Sequence, residues 1–305
     1  MSARITIRLQ ELIALRAQAR GFSLLPRQPV GSLLAGRYDS RLRGRGLTFE
    51  ELRHYQQGDD VRTIDWKATA RLRSPQVRVY TEERERPVLL VVDQRRPMFF
   101  GSRRAMKSVT AAEVAALGAW RALSAGDRVG GIVFNETTTI AVRPQRSQSR
   151  VLNLLHVIHQ LNQQLAAPDP PRGEVTLNHA LNNALQVAGH DHLVVLVTDL
   201  DGADQETERL AALLAAHNDV LVVAVYDPLG ACLSGTLGML AADDSTVWEI
   251  PADAAFAERF GNQFQQLLDE WAEIFRHLRV PVLPVSTAEP AIDQLRALFG
   301  KRAPQ

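Results

Sequence analysis

Residues 88–100 read VLLVVDQRRPMFF. The first six, VLLVVD (88–93), form an unbroken run of Val and Leu closed by a carboxylate. Such a run has no polar face to offer water, so it predicts a strand covered on both sides, as in a parallel sheet. The same grammar returns at HLVVLVTD (192–199), again ending in Asp. Between and after these runs, apolar residues recur at helical spacing. Helices are expected over 104–124, 147–165, 176–188, 203–217, 252–278 and 289–299, with Ser147 and Thr176 as N-caps. Further strands are expected at 127–135, 219–226 and 280–285, one near Val247, and a hairpin partner at 137–142. Strands alternating with helices predict an α/β fold, a mainly parallel sheet flanked by helices. In such sheets ligands sit beyond the carboxyl ends of the strands, so Asp93 and Asp199 should share the edge that matters.

Upstream of that core the text changes. Residues 3–20 place Ile5, Leu9, Leu12, Ile13 and Leu15 at roughly helical spacing before Gly21, and a helix is expected there. Residues 21–48 read as loop, densest at GRYDSRLRGRG, and VRVYTEE (77–83) alternates like a strand. The expected division is 1–86 as an N-terminal helix and Arg-rich block, 87–286 as the main domain, and 287–305 as a terminal helix and tail.

Charge follows the same division. The chain of 305 residues has a formal net charge of +1, but residues 1–110 hold 22 basic and 11 acidic groups. The remainder holds 13 basic and 23 acidic. Only Lys67, Lys107 and Lys301 are lysines, so the basic excess is arginine, the side chain suited to forked contacts with carboxylates and phosphates. Two readings follow: an arginine clamp on the chain's own acids, or an Arg-rich nucleic-acid surface.

Catalytic signatures do not assemble. GSRRAMKS (101–108) misses a phosphate loop by the glycine that must approach phosphate, where Met106 stands. His156 and His159, and the His190–Asp191–His192 trio, lack the further ligands of a zinc site. Cys232 is the only cysteine, which excludes a disulfide framework, and it has no base nearby in sequence. A non-enzymatic protein is expected. No apolar run reaches the ~18–20 residues that span a bilayer, and arginines interrupt the N-terminal stretch, so a cytoplasmic protein, at most peripheral to a membrane, is expected.

One stretch carries more information than its composition. FEELRHYQQGDDVRTIDWKATAR (49–71) presents Phe49, Arg53, Tyr55, Gly58, Asp59, Arg62, Ile64, Asp65, Trp66, Ala70 and Arg71 in order, after Gly44 and Gly46. Read by itself it is either a clamp that fastens the N-terminal segment, with Trp66 burying ~200 Å², or a recognition surface. These spacings resemble the block of the bacterial domain-of-unknown-function family 58, which precedes a von Willebrand factor A-like domain, and the resemblance covers most of the chain. It implies a Rossmann-like sheet of about six strands and an association with MoxR-type AAA+ ATPases that mature or assemble client proteins. Many A-domains bind Mg²⁺ through Asp-x-Ser-x-Ser, a Thr and a second Asp. Carried onto this chain, Asp93 and Asp199 match the two acids, but the serine positions hold Arg95 and Pro97. The threonine position holds Val175, with Thr176 one place late. The resemblance therefore implies a degenerate site in which Arg95 or Arg96 takes the place of the metal. On this reading the chain is an adaptor with no cofactor, and Arg96, Met98, Phe99 and Phe100 are candidate partner contacts. A Mg²⁺-dependent binding module is the alternative.

Overall fold

The computed structural model describes residues 3–20, 47–56, 59–82, 87–167, 173–231, 240–242, 247–249 and 280–299. It also describes helical positions 262, 266, 269, 271 and 273–277, together with residue 278. Gly44, Gly46, Gly58, Cys232 and most of the helix expected at 252–278 lie outside the described residues. The chain divides into two compact units, Met1–Gln28 with Arg86–Gln305, and Pro29–Glu85. The N-terminal segment thus goes with the sheet, not with the arginine-rich block.

In the smaller unit, β1 (Leu47–His54) pairs antiparallel with β2 (Gln76–Glu82), with a register shift between Phe49 and Glu51. A 3-10 turn (Val61–Thr63) and α2 (Trp66–Leu72) connect them. Asp65 caps α2, its Oδ1 accepting from the N–H groups of Lys67 (2.9 Å) and Ala68 (3.0 Å).

The larger unit holds a six-stranded sheet of order β10-β7-β6-β3-β4-β5. Its strands are β3 (Val88–Asp93), β4 (Val129–Phe134), β5 (Thr139–Gln145), β6 (Leu193–Thr198), β7 (Asp219–Tyr226) and β10 (Val282–Ser286). Every pairing is parallel except β4 with β5, the expected hairpin. A small hairpin, β8 (Leu240–Ala242) with β9 (Val247–Glu249), accounts for the strand expected near Val247. The apolar run at 88–93 is explained by its two sides. Val88, Leu90 and Val92 join one core cluster, while Leu89 and Val91 join the other. At ~1.5–3 kcal/mol for each such side chain fully buried, neither face tolerates a polar residue.

The helices are α3 (Lys107–Ala125), α4 (Gln148–Leu165), α5 (Leu177–Val187), α6 (Gln205–Ala215), the short α7 (Pro228–Ala231) and α8 (Ala291–Phe299). Alanines 111, 112, 115, 116 and 119 are buried on α3, and their small size lets the helix lie close to its neighbours. Gly126 ends α3 at φ +93°, a left-handed cap that a side chain would strain. None of the helices among the described residues is long and apolar enough to cross a membrane.

The helix expected over 3–20 is shorter than its spacing suggested. Only α1 (Leu9–Ala14) and a 3-10 turn (Leu15–Ala17) are helical. Residues 3–8 are extended because another backbone claims them. The Arg4 N–H donates to the Arg104 carbonyl at 2.8 Å, and Met106 N–H donates to the Arg4 carbonyl at 3.0 Å. Ile7, Leu12 and Ala19 enter the core, and Trp120 Nε1 donates to the Leu12 carbonyl at 3.0 Å. From β3 the chain builds outward through β4 and β5, then crosses to build β6, β7 and β10 on the other side. The switch point is therefore the gap between the ends of β3 and β6.

Candidate functional site

Asp93 ends β3 and Asp199 follows β6, so the parallel register sets both on the switch-point edge, as expected. Asp93 is wholly buried. Its Oδ1 accepts from the Arg95 backbone N–H (2.9 Å) and Nε (3.0 Å). Its Oδ2 accepts from Arg95 Nε (3.2 Å), Arg95 Nη2 (2.7 Å) and Thr198 Oγ1 (2.7 Å). Arg95 is itself 6% exposed, and Nη2 also donates to the Asp201 carbonyl at 3.0 Å. The guanidinium lies 5.5 Å from the centre of the Phe134 ring.

Burial pushes the Asp93 carboxyl upward, and the charge and hydrogen bonds of Arg95 oppose that push. Burial also works against the Arg95 cation, yet the Asp93 carboxylate holds its pKa above the ordinary value. A forked, charge-assisted pair is the state this geometry favours.

Asp199 has a cation of its own: Lys107 Nζ, from the first turn of α3, donates to Oδ2 at 2.5 Å. The Asp201 N–H donates to Oδ1 at 3.1 Å and closes the turn. A third strand end repeats the theme. Asp227 follows β7 and accepts Ser102 N–H (2.8 Å), Ser102 Oγ (2.5 Å), Thr287 Oγ1 (2.5 Å) and Leu229 N–H (2.9 Å). Burial pushes its carboxyl up, but these bonds outweigh it and leave the pKa below the usual value. Glu136, beyond β4, accepts the Arg96 N–H; its half-burial, with the charge of Asp93, raises its pKa.

Asp93 also sits at the end of a buried amide chain. Gln94 Nε2 donates to the carbonyls of Asp93 (2.9 Å) and Ser108 (3.0 Å). Asn162 Nδ2 donates to Gln94 Oε1 (2.9 Å), and Ile7 N–H donates to Asn162 Oδ1 (3.0 Å). The N-terminal segment thereby supports the edge from behind.

The remaining expected site residues fall apart from the pair. Pro97 is the middle residue of a 3-10 turn (Arg96–Met98). Val175 packs against the second core cluster, and its N–H donates to the Glu136 carbonyl. Thr176 is exposed at the start of α5, where its hydroxyl meets His179 Nδ1 at 3.0 Å. Met98, expected as a partner contact, is wholly buried in the core and unavailable for one. Phe99 is half-buried; Phe100 is 45% exposed and Arg96 half-buried. Lys107, Thr198, Glu136 and Asp227 were not singled out in the sequence. The signal for Asp227 was present, since VLVVAVYD (220–227) repeats the strand-then-Asp grammar.

A divalent cation fits poorly here. Both Asp93 oxygens are taken by Arg95 and Thr198, and an Asp199 oxygen by Lys107. Among the described residues no group of three or more His, Cys, Asp or Glu side chains stands at metal-holding distance.

In the smaller unit Arg53 forks Asp59 through Nη1 (2.9 Å) and Nη2 (2.7 Å). The Arg53 bonds hold the Asp59 carboxyl below its ordinary pKa. Arg62 N–H donates to Asp60 Oδ1, and Tyr55 N–H to the Pro75 carbonyl. Trp66 is 70% exposed rather than buried, and Arg71 is exposed. Arg53, Asp59, Asp60 and Asp65 hold turns within this block.

The model of the family described as "Protein of unknown function DUF58" matches residues 51–267. Uncharacterized proteins of Mycobacterium tuberculosis and Mycobacterium bovis are each 28% identical to this chain over 275 residues, covering 90% of it and 85% of the relative. The match takes in most of the block at 49–71 and the strands from β3 to β7, and the chain belongs to the DUF58 family.

Proposed function

We propose that this chain is a non-catalytic interaction protein built on a von Willebrand factor A-like unit, with the β3–β6 strand-end edge as a metal-free docking face. One observation carries the reading. Each acid at the switch point already has a cation from the chain, Arg95 on Asp93 and Lys107 on Asp199. A metal would have to displace both, at the cost of burying their charges unpaired. Recognition at this face then rests on direct polar and apolar contacts, with Phe100 the exposed apolar side chain nearest in sequence. The partner proposed is a MoxR-type AAA+ ATPase, for which the chain serves as adaptor to a client protein in the cytoplasm.

Two measurements test this. Calorimetric titration of the chelator-treated protein with Mg²⁺ and Mn²⁺ should give no saturable binding. Saturable binding lost in Asp93→Asn would overturn the metal-free reading. The tagged chain should co-purify with a MoxR-type ATPase from its own source and change its ATP turnover; failure of both would remove the adaptor role. The Arg-rich nucleic-acid reading predicts instead steeply salt-dependent retention on DNA.

A further inference from the structure

The smaller unit leaves a large apolar side chain uncovered. Asp65 N–H donates to the Gln76 carbonyl at 2.8 Å, and Gln76 N–H donates to Thr69 Oγ1 at 2.9 Å. These bonds fasten α2 to the start of β2 through Asp65 and Thr69, which stand one turn apart on one side of the helix. At about 100° per residue, Trp66, Ala70, Lys67 and Arg71 share another side, an arc of about 140°. All four are exposed, Trp66 by 70%. Leu72 ends the helix and Val61 precedes it, each 59% exposed. A clamp would have buried Trp66; an uncovered indole beside further exposed apolar groups marks an interaction surface instead.

Charge on this surface is unbalanced. The described side chains of the unit include the cations Arg53, Arg62, Lys67, Arg71 and Arg73 and the acids Asp59, Asp60 and Asp65. Arg53 forks Asp59, while Asp60 and Asp65 accept the N–H groups of Arg62 and Lys67. Among the described residues, the side chains of Arg62, Lys67, Arg71 and Arg73 make no hydrogen bond or ion pair. Four unpaired cations around an exposed indole select the occupant. A lipid interface holds a helix by an extended apolar face, whereas α2 has seven residues and one large apolar side chain on its outer arc. Nucleic acid would pair with the cations and stack on Trp66, but it leaves the aliphatic Val61 and Leu72 without a partner. A polypeptide supplies carboxylates for the guanidiniums and apolar side chains for the rest, and Trp and Arg are the usual anchors of such contacts. We propose that the outer face of α2, anchored by Trp66 and flanked by Lys67 and Arg71, docks an acidic segment of a partner polypeptide that also carries apolar side chains. This second surface belongs to the smaller unit and does not depend on the strand-end reading.

The test measures binding of short fluorescent peptides to the full chain by anisotropy. Three compositions are compared: Asp and Glu with Leu and Phe, Asp and Glu with Gly and Ser, and Gln and Ser with Leu and Phe. The first should bind, and the other two at least about tenfold more weakly, since each lacks half of what the face offers. Trp66→Ala and Arg71→Glu should each weaken the first peptide by about tenfold or more. Arg143→Glu makes the same charge change at an exposed position of β5 and should weaken it by less than about twofold. Thermal unfolding should be unchanged in all three, because the replaced side chains are exposed. Affinity should fall about tenfold between ~50 and ~500 mM salt, as exposed ion pairs are screened. No binding by the acidic-apolar peptides, indifference to Trp66→Ala, or an equal loss in Arg143→Glu would overturn the proposal. Oligo-dT or phosphatidylglycerol vesicles that bind more tightly than the peptides, and are lost in Arg71→Glu, would give the face to nucleic acid or membrane and overturn it as well. Self-association of the chain abolished by Trp66→Ala would do the same, by assigning the face to a second copy.

Discussion

The strand-end edge and the arginine-rich block both hold their acids with nearby residues, Arg95 being two residues from Asp93, but the edge adds partners from far along the chain. In the block, Asp59 is held by Arg53, six residues away, and Asp65 by the N–H groups two and three residues on. At the edge, Thr198 reaches Asp93 from 105 residues away, Lys107 reaches Asp199 from 92, and Ser102 reaches Asp227 from 125. Burial differs in the same sense. Asp93 and Asp227 are inside the protein, whereas Trp66, Val61 and Leu72 of the block are more than half exposed. Short-range partners make a fixed sequence spacing, which is why the block is recognisable as text. Long-range partners such as Thr198 and Lys107 join the site only after folding.

The largest expected effect tests the most buried part of this contrast. Asp93→Ala strands the Arg95 guanidinium in the interior and should destabilise the larger unit by about 3–5 kcal/mol. Arg95→Met should cost a similar amount by stranding the carboxylate. The double variant, which removes both charges, should recover most of the loss, because two apolar groups avoid the desolvation penalty. Urea unfolding of the four proteins forms the cycle; additive losses would show that the pair is not coupled.

Burial and the distance to each partner also decide what the sequence alone reveals. The run at 88–93 announced its strand because both faces are covered, and the same logic located β6 and β7. Asp93 and Asp199 were placed on one edge by the parallel connection alone, without knowledge of their partners. Arg95 was legible because it lies two residues from the acid it forks. Lys107 was hidden, since nothing local distinguishes a lysine that begins α3 from a solvated one. Thr198 was hidden inside an apolar strand, where a β-branched residue needs no explanation. Residues 3–8 were misread because Ile5, Leu9 and Leu12 fit a helical period, while the deciding contact is the distant backbone of Arg104–Met106.

An intermediate effect should come from Asp227, and its pH dependence separates it from Asp93. Asp227→Asn replaces an acceptor of four hydrogen bonds with an amide that cannot accept on both sides, costing about 2 kcal/mol at neutral pH. The wild-type carboxyl has a pKa below its unfolded value of about 3.9, so its stabilising contribution is fully present above that pH. It is lost as pH falls through the folded value, where the unfolded chain binds the proton first. The gap between wild type and variant should therefore narrow below about pH 4 in thermal unfolding. A gap that stays constant to pH 3 or widens would mean that the hydroxyls of Ser102 and Thr287 do not depend on the charge.

The smallest effect lies in the block, and its smallness is the point. Asp65→Ala removes the cap of a seven-residue helix and should cost about 1 kcal/mol locally. A helix this short has little stability of its own, so the loss should appear as local opening before it appears as global unfolding. Amide exchange at Lys67 and Ala68, whose N–H groups the carboxylate now accepts, should quicken by about fivefold. Exchange along β3 and β6 should not change, because those amides are protected by a separate compact unit. If instead the strand amides quicken together with Lys67, the two units open as one, and the short-range character of the block would no longer set it apart from the edge.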